Sequence, residues 1–527
     1  MKKTLSFITT AAIAMTFASS CKKSSFEEAY RDPSKVVTSS VDKQFAGMIY
    51  ANREYVVPSY WNYFVIQRTT VHVYNQVTGF TNAIGQYVPG AASITDRWNN
   101  YYNFLAQYKE FMKIYNASTP AEQAINRIYM LAATIYFYDH SQKVVDLHGD
   151  IPWAEAGMLS SNGGDYSASY AKYQNADDIY TTMLDNLKAY SDELSTLTVA
   201  ASISDKFKAQ DLINKGDVTL WKKYCNSLRL RMLTRVSGTT KFSTRATQEI
   251  AAIIANPAKY PLVLTNTDNI ALKVYDLGTD INAKGFRTGL EDWNGNIAGK
   301  KMIDMMNTTA DPRLRAMFEP GASAAGVYVG LDPLANATTQ TADIAAGKLA
   351  IYNRSTLSRN EFFPGLLITS AEVNYLLAEY YLKAGNDGAA KTAYETGVKE
   401  SVNYYYWLRT FSKDNTAGTL TPTSDAEINL YIAKPTVIWL GTNAAKLNLI
   451  ATQKWIHYSV VEPIEGWAEL RRLDLPALSF SPDNSSPQTA PPVRWIYPSS
   501  EISYNTANYQ AVASKDKLTT KLFWDIN

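Results

Sequence analysis

The clearest hydrophobic pattern in the chain lies in residues 368–406, where two amphipathic helices follow each other. In the first helix, apolar side chains recur three and four positions apart, as on one helix face: Val373, Leu376, Leu377, Tyr380 and Tyr381. Gly385 can end this helix in the left-handed conformation, and Asp387 can cap the next one. The second helix has an inner face with small residues that allow a close approach: Ala390, Ala393, Tyr394, Gly397 and Val398.

This hairpin resembles a tetratricopeptide repeat. Leu377, Ala378, Tyr381, Ala390 and Tyr394 match the pattern of that helix-turn-helix unit of about 34 residues. Such repeats often carry Trp at the position that Asn374 occupies here. Three other regions show helical spacing: residues 121–145, with Ile125, Ile128, Tyr129, Ala132, Ala133 and Tyr136 on one face; residues 175–194 with 217–236; and residues 446–460, with Leu447, Ile450, Ala451, Trp455 and Tyr458.

Long polar insertions separate these helices. They are rich in Gly, Asn, Thr, Ser and Pro, and loops of such length in a globular protein are usually functional or disordered: residues 157–168, 278–300, 319–350 and 480–495. Short apolar runs at 261–264 and 325–331 are predicted to form small hairpins. The predicted fold class is therefore all-α, with tetratricopeptide-like helix pairs scaffolding a loop-rich face and a few short β-hairpins.

The N-terminus has the pattern of a targeting segment. Lys2 and Lys3 precede an uncharged, mostly apolar run from Leu5 to Ala18, which is too short to span a bilayer. Small residues lead directly to Cys21, an arrangement that resembles a bacterial lipobox. We expect residues 1–20 to be a signal peptide, Cys21 to be lipidated, 21–40 to be a flexible tether and 41–527 to be the helical domain. The alternative is a plain secretory peptide cut near Ser20.

Composition narrows the function classes. The net charge of +2 gives no field that would favour nucleic acid, and no basic stripe is present. Tyrosine is abundant, with 36 Tyr against 18 Phe, and its apolar body and polar tip suit sugar or peptide surfaces as well as helix packing. Cys225, the only other cysteine, lies in a helical segment and is predicted to be a small buried hydrophobe.

No motif in the chain calls for catalysis, a metal or a cofactor. Asp146, His148 and Asp150 in "DLHGDIPWAEA" could approach a metal, but only four histidines are present, and a helix exit at Gly149 is favoured. Glu465 and Glu469 lie four residues apart on one predicted helix, and we interpret them as surface charge rather than as a glycosidase pair. Asp311 is a candidate N-cap, and Arg313 and Arg315 are expected to be solvated or paired.

Several stretches together resemble the SusD/RagB family of Bacteroidetes outer-membrane lipoproteins. They are "HGDIPWAEA", "DPRL" at 311–314, "FPGLLITSAEVNYLLAEYYLKAGN", "LIATQKWIHYSVVEPIEGWAELRRLDLP" and "PPVRWIYPSSEISYN". The resemblance implies tetratricopeptide-like helix pairs carrying an irregular face. It also implies a non-catalytic lid over a SusC-type TonB-dependent transporter, which captures oligosaccharides or peptides at the cell surface and delivers them.

The resemblance also implies where a ligand binds. In the family, ligand contacts come from loops before and between the repeat helices. Aromatic rings stack on the apolar faces of sugars, and neighbouring polar groups bond the hydroxyls. Two regions have that chemistry: "SYWNYF" with "TDRWNNYYNF", giving Trp61, Asp96, Trp98, Asn99, Tyr101 and Tyr102, and "KGFRTGLEDWNGN", giving Arg287, Asp292, Trp293 and Asn294. Trp98 is also a candidate helix-packing residue.

Four functions stay open at this point. The leading hypothesis is a surface lipoprotein that binds a glycan. The others are capture of peptides or another polymer by the same architecture, a structural transporter subunit without its own ligand, and a glycosidase.

Overall fold

Helices make up most of residues 39–527, the part of the chain that the computed structural model describes. Val41–Asn527 form one compact unit. The predicted signal peptide, Cys21 and nearly all of the tether lie outside the described residues. The α-helices are α1 Val41–Ala51, α2 Val71–Tyr74, α3 Ala91–Ala117, α4 Pro120–Ile125, α5 Arg127–His148, α6 Ala176–Thr196, α7 Ala201–Gln210, α8 Val218–Val236, α9 Ser243–Ala255, α10 Gly285–Glu291, α11 Lys300–Thr309, α12 Leu314–Met317, α13 Ala337–Ala345, α14 Ser370–Lys383, α15 Asp387–Phe411, α16 Asp425–Ile432, α17 Asn443–Tyr458, α18 Pro463–Leu473, α19 Ser499–Tyr504 and α20 Thr506–Tyr509.

Short strands and tight helical turns complete the described chain. The strands are β1 Ile151–Pro152, β2 Tyr173–Gln174, β3 Ile270–Leu272, β4 Phe318–Glu319, β5 Ile351–Tyr352 and β6 Gly365–Ile368. They form three antiparallel pairs, β1 with β2, β3 with β6 and β4 with β5. A π-helical segment, Trp61–Gln67, and 3₁₀ turns at Arg53–Tyr55, Ser167–Ser169, Asn266–Asp268, Asp292–Asn294 and Ala513–Lys515 connect the longer elements. The all-α prediction is confirmed.

The predicted hairpins were placed wrongly. Residues 261–264 form no strand, and within 325–331 only Leu331 makes a single bridge, with Gly299. The observed strands instead pair segments far apart in sequence, such as Ile270 with Ile368. Because these partners are brought together by the packed helices, a local pattern of apolar residues does not reveal them.

The predicted helix pair is present as α14 and α15. Gly385 between them has φ 76°, as expected for a helix C-terminus. The cap of α15 is Asn386 rather than Asp387: its Oδ1 accepts from the Ala389 N–H at 3.1 Å. Asn374, at the position where these repeats often carry Trp, donates to the Leu264 carbonyl at 3.1 Å. This hydrogen bond attaches the loop that contains Leu264 to α14.

Gly397 of α15 sets the distance between the two helices. A Cβ at this position would lie 2.6 Å from the Tyr375 ring of α14. We therefore expect Gly397→Ala to lower the free energy of unfolding by about 1–3 kcal/mol through overpacking, measured by urea unfolding. Gly388→Ala, in the same helix but with nothing within 4 Å of the added Cβ, is the control and should be neutral or slightly stabilising. Equal losses in the two variants would contradict the close approach.

The other predicted helices are present with one change. The helical face assigned to residues 121–145 breaks at Asn126, so Ile125 belongs to the separate helix α4 and is exposed. Helix α5 ends at His148, and Gly149 turns the chain with φ 83°, so the helix-exit interpretation of this stretch is confirmed. Cys225 is buried in α8, as predicted for a small hydrophobe.

A chain of buried ion pairs joins the central helices, which the sequence did not predict. The Arg231 guanidinium of α8 donates to Glu372 of α14 at 2.5 and 2.8 Å, and to Asp139 of α5 at 3.1 Å. The next turn of α8 brings Arg235 to Asp146 at 2.9 Å. Charges are rarely this deeply buried unless they are paired.

Helix α18 adds two glutamates to this network, and the interpretation of these residues as surface charge is wrong. Glu465 and Glu469 are only 2% and 5% exposed, so they are not surface charge. Glu465 accepts from Arg235 at 2.7 Å, and Glu469 accepts from Lys454 at 2.7 Å and from Arg472 at 2.7 Å. The "DPRL" arginine is paired in the same manner: Arg313 is buried and donates to Asp311, Tyr431 and Gln453.

Candidate functional site

Two of the predicted ligand-binding stretches lie against each other. The π-helical segment Trp61–Gln67 packs on α10, where glycines permit close contact. A Cβ at Gly289 would lie 2.9 Å from the Tyr63 Cβ, and a Cβ at Gly285 would lie 2.8 Å from the Tyr60 nitrogen. The stretches "SYWNYF" and "KGFRTGLEDWNGN" therefore form one surface.

Arg68 connects the end of the π-helical segment to the loop after α10. Its guanidinium donates to the carbonyl oxygens of Asp292 at 2.7 Å and Trp293 at 2.8 Å. The same guanidinium lies over the Phe64 ring, 4.9 Å from its centre. Burial lowers the pKa of the Arg68 guanidinium below its ordinary value. Arg68 was not predicted, and no local motif marks it.

The loop that Arg68 holds has an unusual backbone. Trp293 has φ 57° and ψ 34°, and Asn294 has φ 59°. Two consecutive residues other than glycine in the left-handed region are unfavourable, and such conformations persist only when their surroundings fix them. The two hydrogen bonds from Arg68 supply that fixation. The backbone that carries Trp293 is therefore held in one conformation.

The Tyr60 ring contacts those of Trp61 and Phe64, and Arg68 links them to the loop of Trp293; we call these four aromatic side chains the aromatic patch. Trp293 is 81% exposed, Trp61 49% and Tyr60 36%. The Tyr60 ring stacks on Phe64 with centres 4.9 Å apart and an angle of 13° between planes. A groove of about 330 Å³ beside Trp293 is lined by polar and apolar groups, among them Arg68, Thr69, Phe80 and Asn294. An exposed indole beside a groove with polar and apolar walls is suited to a ligand with apolar faces and hydroxyl edges.

The polar residues predicted around Trp293 are at the surface. Arg287, Asp292 and Asn294 are all exposed. The Arg287 guanidinium lies 3.9 Å from Glu291, whose carboxylate is already held by Arg359 at 2.8 Å. Arg287 is thus available to a ligand.

The predictions for Trp98 and Tyr101 as ligand platforms are wrong. Trp98 is 3% exposed, and its ring centre lies 5.0 Å from that of His148 and 5.7 Å from that of Tyr497. Tyr101 is fully buried, and its hydroxyl lies 2.9 Å from Ser141 Oγ. The helical spacing of α3 places both on its core face, which excludes ligand stacking.

The other α3 candidates are at or near the surface. Asn99 is exposed, whereas Asp96 and Tyr102 are half-buried. The Tyr102 hydroxyl donates to the Pro152 carbonyl at 2.8 Å. None of these three residues lines the groove beside Trp293.

A small polar cavity of about 50 Å³ lies beneath the π-helical segment. Gln67, Arg97, His140, Lys143 and Glu462 are among its lining residues. Both Glu462 carboxyl oxygens, Gln67 Oε1 and His140 Nε2 are buried and make no hydrogen bond within the described part of the chain. Such a cavity has room for a few water molecules, which would supply these partners.

Glu462 is expected to make stability depend on pH. Burial and the nearby Glu372 raise its pKa well above 4.5, although Arg231 and Lys143 oppose the shift. The folded protein thus binds this proton more tightly than the unfolded chain does. Stability from this group is full below pH 4.5 and is lost as pH rises through the raised pKa. Glu462→Gln should therefore be more stable than the parent at neutral pH and similar to it in acid.

Thermal unfolding at a series of pH values measures this difference. The surface variant Glu54→Gln, in which the replaced side chain is 48% exposed, is the control for removing a carboxylate. If Glu462→Gln runs parallel to the parent at every pH, Glu462 does not titrate as described.

The described residues contain neither a membrane span nor a metal cluster. No helix within 39–527 is long and apolar enough to cross a bilayer. Within the same residues, no group of three or more His, Cys, Asp or Glu side chains is placed to hold a metal ion.

Comparison with known families identifies the architecture. A family described as "Starch-binding associating with outer membrane", SusD-like, matches residues 38–498. The chain belongs to the SusD-like family. No curated protein matches it.

Solved structures share the fold at low sequence identity. A SusD-like protein of Bacteroidetes is 20% identical with a TM-score of 0.72, and the match covers 93% of this chain and 100% of that one. A chitin-binding protein is 24% identical with a TM-score of 0.71, over 92% and 100% of the two chains. A SusD homologue from Bacteroides fragilis is 19% identical with a TM-score of 0.71, over 93% and 99%. These likenesses establish the SusD-like fold.

Proposed function

We propose that this protein captures oligosaccharides at the cell surface and delivers them, as a lid, to a SusC-type TonB-dependent transporter. It acts by binding and not by catalysis. The observation that carries the proposal is Trp293: an indole 81% exposed to solvent, on a left-handed backbone that Arg68 holds in place. An exposed indole carried on a fixed backbone can stack on the apolar face of a ligand without reorganisation of its loop.

The chemistry of the surroundings favours a glycan. Stacking on the indole would cover the apolar face of a sugar ring, as in other aromatic recognition. Asp292, Asn294 and Arg287 are exposed beside it and offer acceptors and donors to hydroxyl groups. The family description as starch-binding and the chitin-binding neighbour support the same ligand class.

The lipid anchor and the transporter partner complete the proposal. Cys21 follows small residues after an apolar run, and acylation there would hold the chain on the outer membrane. The polar residues that follow would give the lid room to hinge. The family's association with the outer membrane supports this placement.

A thermal-shift screen tests the ligand class. The chain from residue 22 onward, which includes the compact unit Val41–Asn527, is screened against matched panels of oligosaccharides and oligopeptides. A ligand at a hundred times its dissociation constant should add about 2.7 kcal/mol to the free energy of unfolding. We expect a shift with the oligosaccharides alone.

The other outcomes discriminate between the remaining hypotheses. A shift confined to oligopeptides would replace the glycan by a peptide ligand on the same architecture. No shift with either panel would favour a structural transporter subunit. Release of shorter sugars by the pure protein would contradict the non-catalytic assignment.

A further inference from the structure

A second groove, separate from the aromatic patch, lies between the segment 265–273 and helix α15. Its volume is about 580 Å³, within the range of ligand-binding clefts. It shares no lining residue with the groove beside Trp293. The residues that matter for its chemistry are Thr265, Thr267, Asn269, Lys273, Asn403 and Trp407.

We propose that this groove is a second binding site for a neutral oligosaccharide segment. The inference rests on the proposed glycan class, but it depends on none of the residues of the aromatic patch. Its support comes from a rigid floor, a fixed indole and uncommitted polar side chains.

The floor of the groove is held by a hydrogen-bond network. The Glu400 carboxylate accepts from the Asn266 N–H at 2.6 Å and from Ser370 Oγ at 3.0 Å. Asn266 Nδ2 donates to the Glu400 carbonyl at 2.9 Å, and Asn269 Oδ1 accepts from the Ser370 N–H at 2.7 Å. These bonds tie the 3₁₀ turn Asn266–Asp268 to both α14 and α15. A pre-organised floor lowers the entropy that binding would otherwise consume.

Trp407 provides an aromatic wall in a fixed position. Its indole is half-buried, with the Phe411 ring against it at 4.5 Å and an angle of 84°. The Tyr404 ring centre lies 5.7 Å away. These contacts hold the indole while another part of it lines the groove. It can therefore stack on a sugar ring without reorganising.

The polar side chains of the groove are only partly used. Within residues 39–527, neither the Asn403 amide nor the Lys273 ammonium makes a hydrogen bond or an ion pair. The Thr265 and Thr267 hydroxyls lie 2.8 Å apart at the rim. An amide, hydroxyls and one ammonium can donate to and accept from sugar hydroxyls. Because Glu400 is already satisfied, no free carboxylate is left to select a cationic peptide.

Fluorine NMR on 5-fluorotryptophan-labelled protein tests this site directly. The chain from residue 22 onward is titrated with maltohexaose, chitohexaose and a neutral oligopeptide, and Trp407→Phe and Trp293→Phe assign the two signals. We expect one of the saccharides to shift the Trp407 signal, and to shift it also in a Trp293→Ala protein. Asn403→Ala should weaken the Trp407 response about tenfold. Lys391→Ala, exposed on the same helix, should not change it.

Each outcome supports or overturns the second site. Shifts at Trp407 alone would support it while contradicting the function proposed for the aromatic patch. Shifts at Trp293 alone, or an unchanged Trp407 response in Asn403→Ala, would overturn the second site and leave the proposed function standing. A response at neither tryptophan, or a Trp407 response to the oligopeptide only, would overturn it as a glycan site. Because Asn403 is exposed, its variant is expected to fold even if Trp407→Phe does not.

Discussion

Arg231→Met is expected to lose about 3–5 kcal/mol of the free energy of unfolding, the loss typical of breaking a buried ion pair. The guanidinium neutralises Glu372 and Asp139 at distances of 2.5 and 3.1 Å, and all three side chains are fully enclosed. Removing it leaves the Glu372 carboxylate in the core without its paired cation, and leaves Asp139 with Lys143 and the Tyr224 hydroxyl. Methionine keeps most of the volume, so the loss reports charge rather than a cavity. Urea unfolding at neutral pH measures it.

Two further variants separate the buried pair from ordinary surface electrostatics. Lys300→Met removes an exposed i, i+4 partner of Asp304 and should change stability by less than about 1 kcal/mol. Replacing the pair together, as Arg231→Met with Glu372→Leu, should recover much of the loss, since the carboxylate that Arg231 neutralised is removed with it, and Asp139 keeps its contacts with Lys143 and Tyr224. A loss in Arg231→Met no larger than in Lys300→Met would show that the buried pair contributes little.

The helices that carry this network could be predicted from the sequence, whereas the buried ion pairs between them could not. The helices were predictable because their apolar residues repeat with the helical period, and α14 and α15 follow that period closely. The buried positions of Glu465 and Glu469 were not predictable, because a charged residue in a local sequence pattern is normally assigned to the surface. What places Glu465 in the core is Arg235, which lies 230 residues away in sequence. Only the tertiary fold brings them together.

The candidate site was likewise predicted only in part. Trp293 was predicted from a glycine-rich loop, and it is the most exposed of the candidate rings. Trp98 and Tyr101 had equally suitable chemistry, yet their positions in α3 place them on the helix face that packs against the protein core. Arg68 was missed because its partners are backbone carbonyls 224 and 225 residues away, which no side-chain motif reveals. Residue type indicated the chemistry, whereas position depended on the fold.

Trp293→Ala is expected to weaken oligosaccharide binding by about 30-fold or more, which corresponds to about 2 kcal/mol and marks a dominant contact. The indole is almost fully solvated in the free protein, so a sugar ring stacked on it would gain the largest apolar contact that the patch offers. Fold stability should not change, because the side chain supports no core contact. Isothermal titration with the saccharide that gives the strongest thermal shift measures the affinity.

Arg68→Gln separates stacking from orientation at the same site. Glutamine cannot make both hydrogen bonds to the Asp292 and Trp293 carbonyls, so the left-handed loop should relax while the indole remains. We expect a smaller loss of affinity than in Trp293→Ala, together with a changed line width of the Trp293 signal in fluorine NMR of 5-fluorotryptophan-labelled protein. Trp293→Phe should retain part of the binding, and Tyr504→Ala, at a separate ring that is 75% exposed, should retain all of it. Unchanged affinity in Trp293→Ala would remove the aromatic patch as the ligand site. Unchanged affinity in Arg68→Gln alone would mean that the indole binds without needing its fixed backbone.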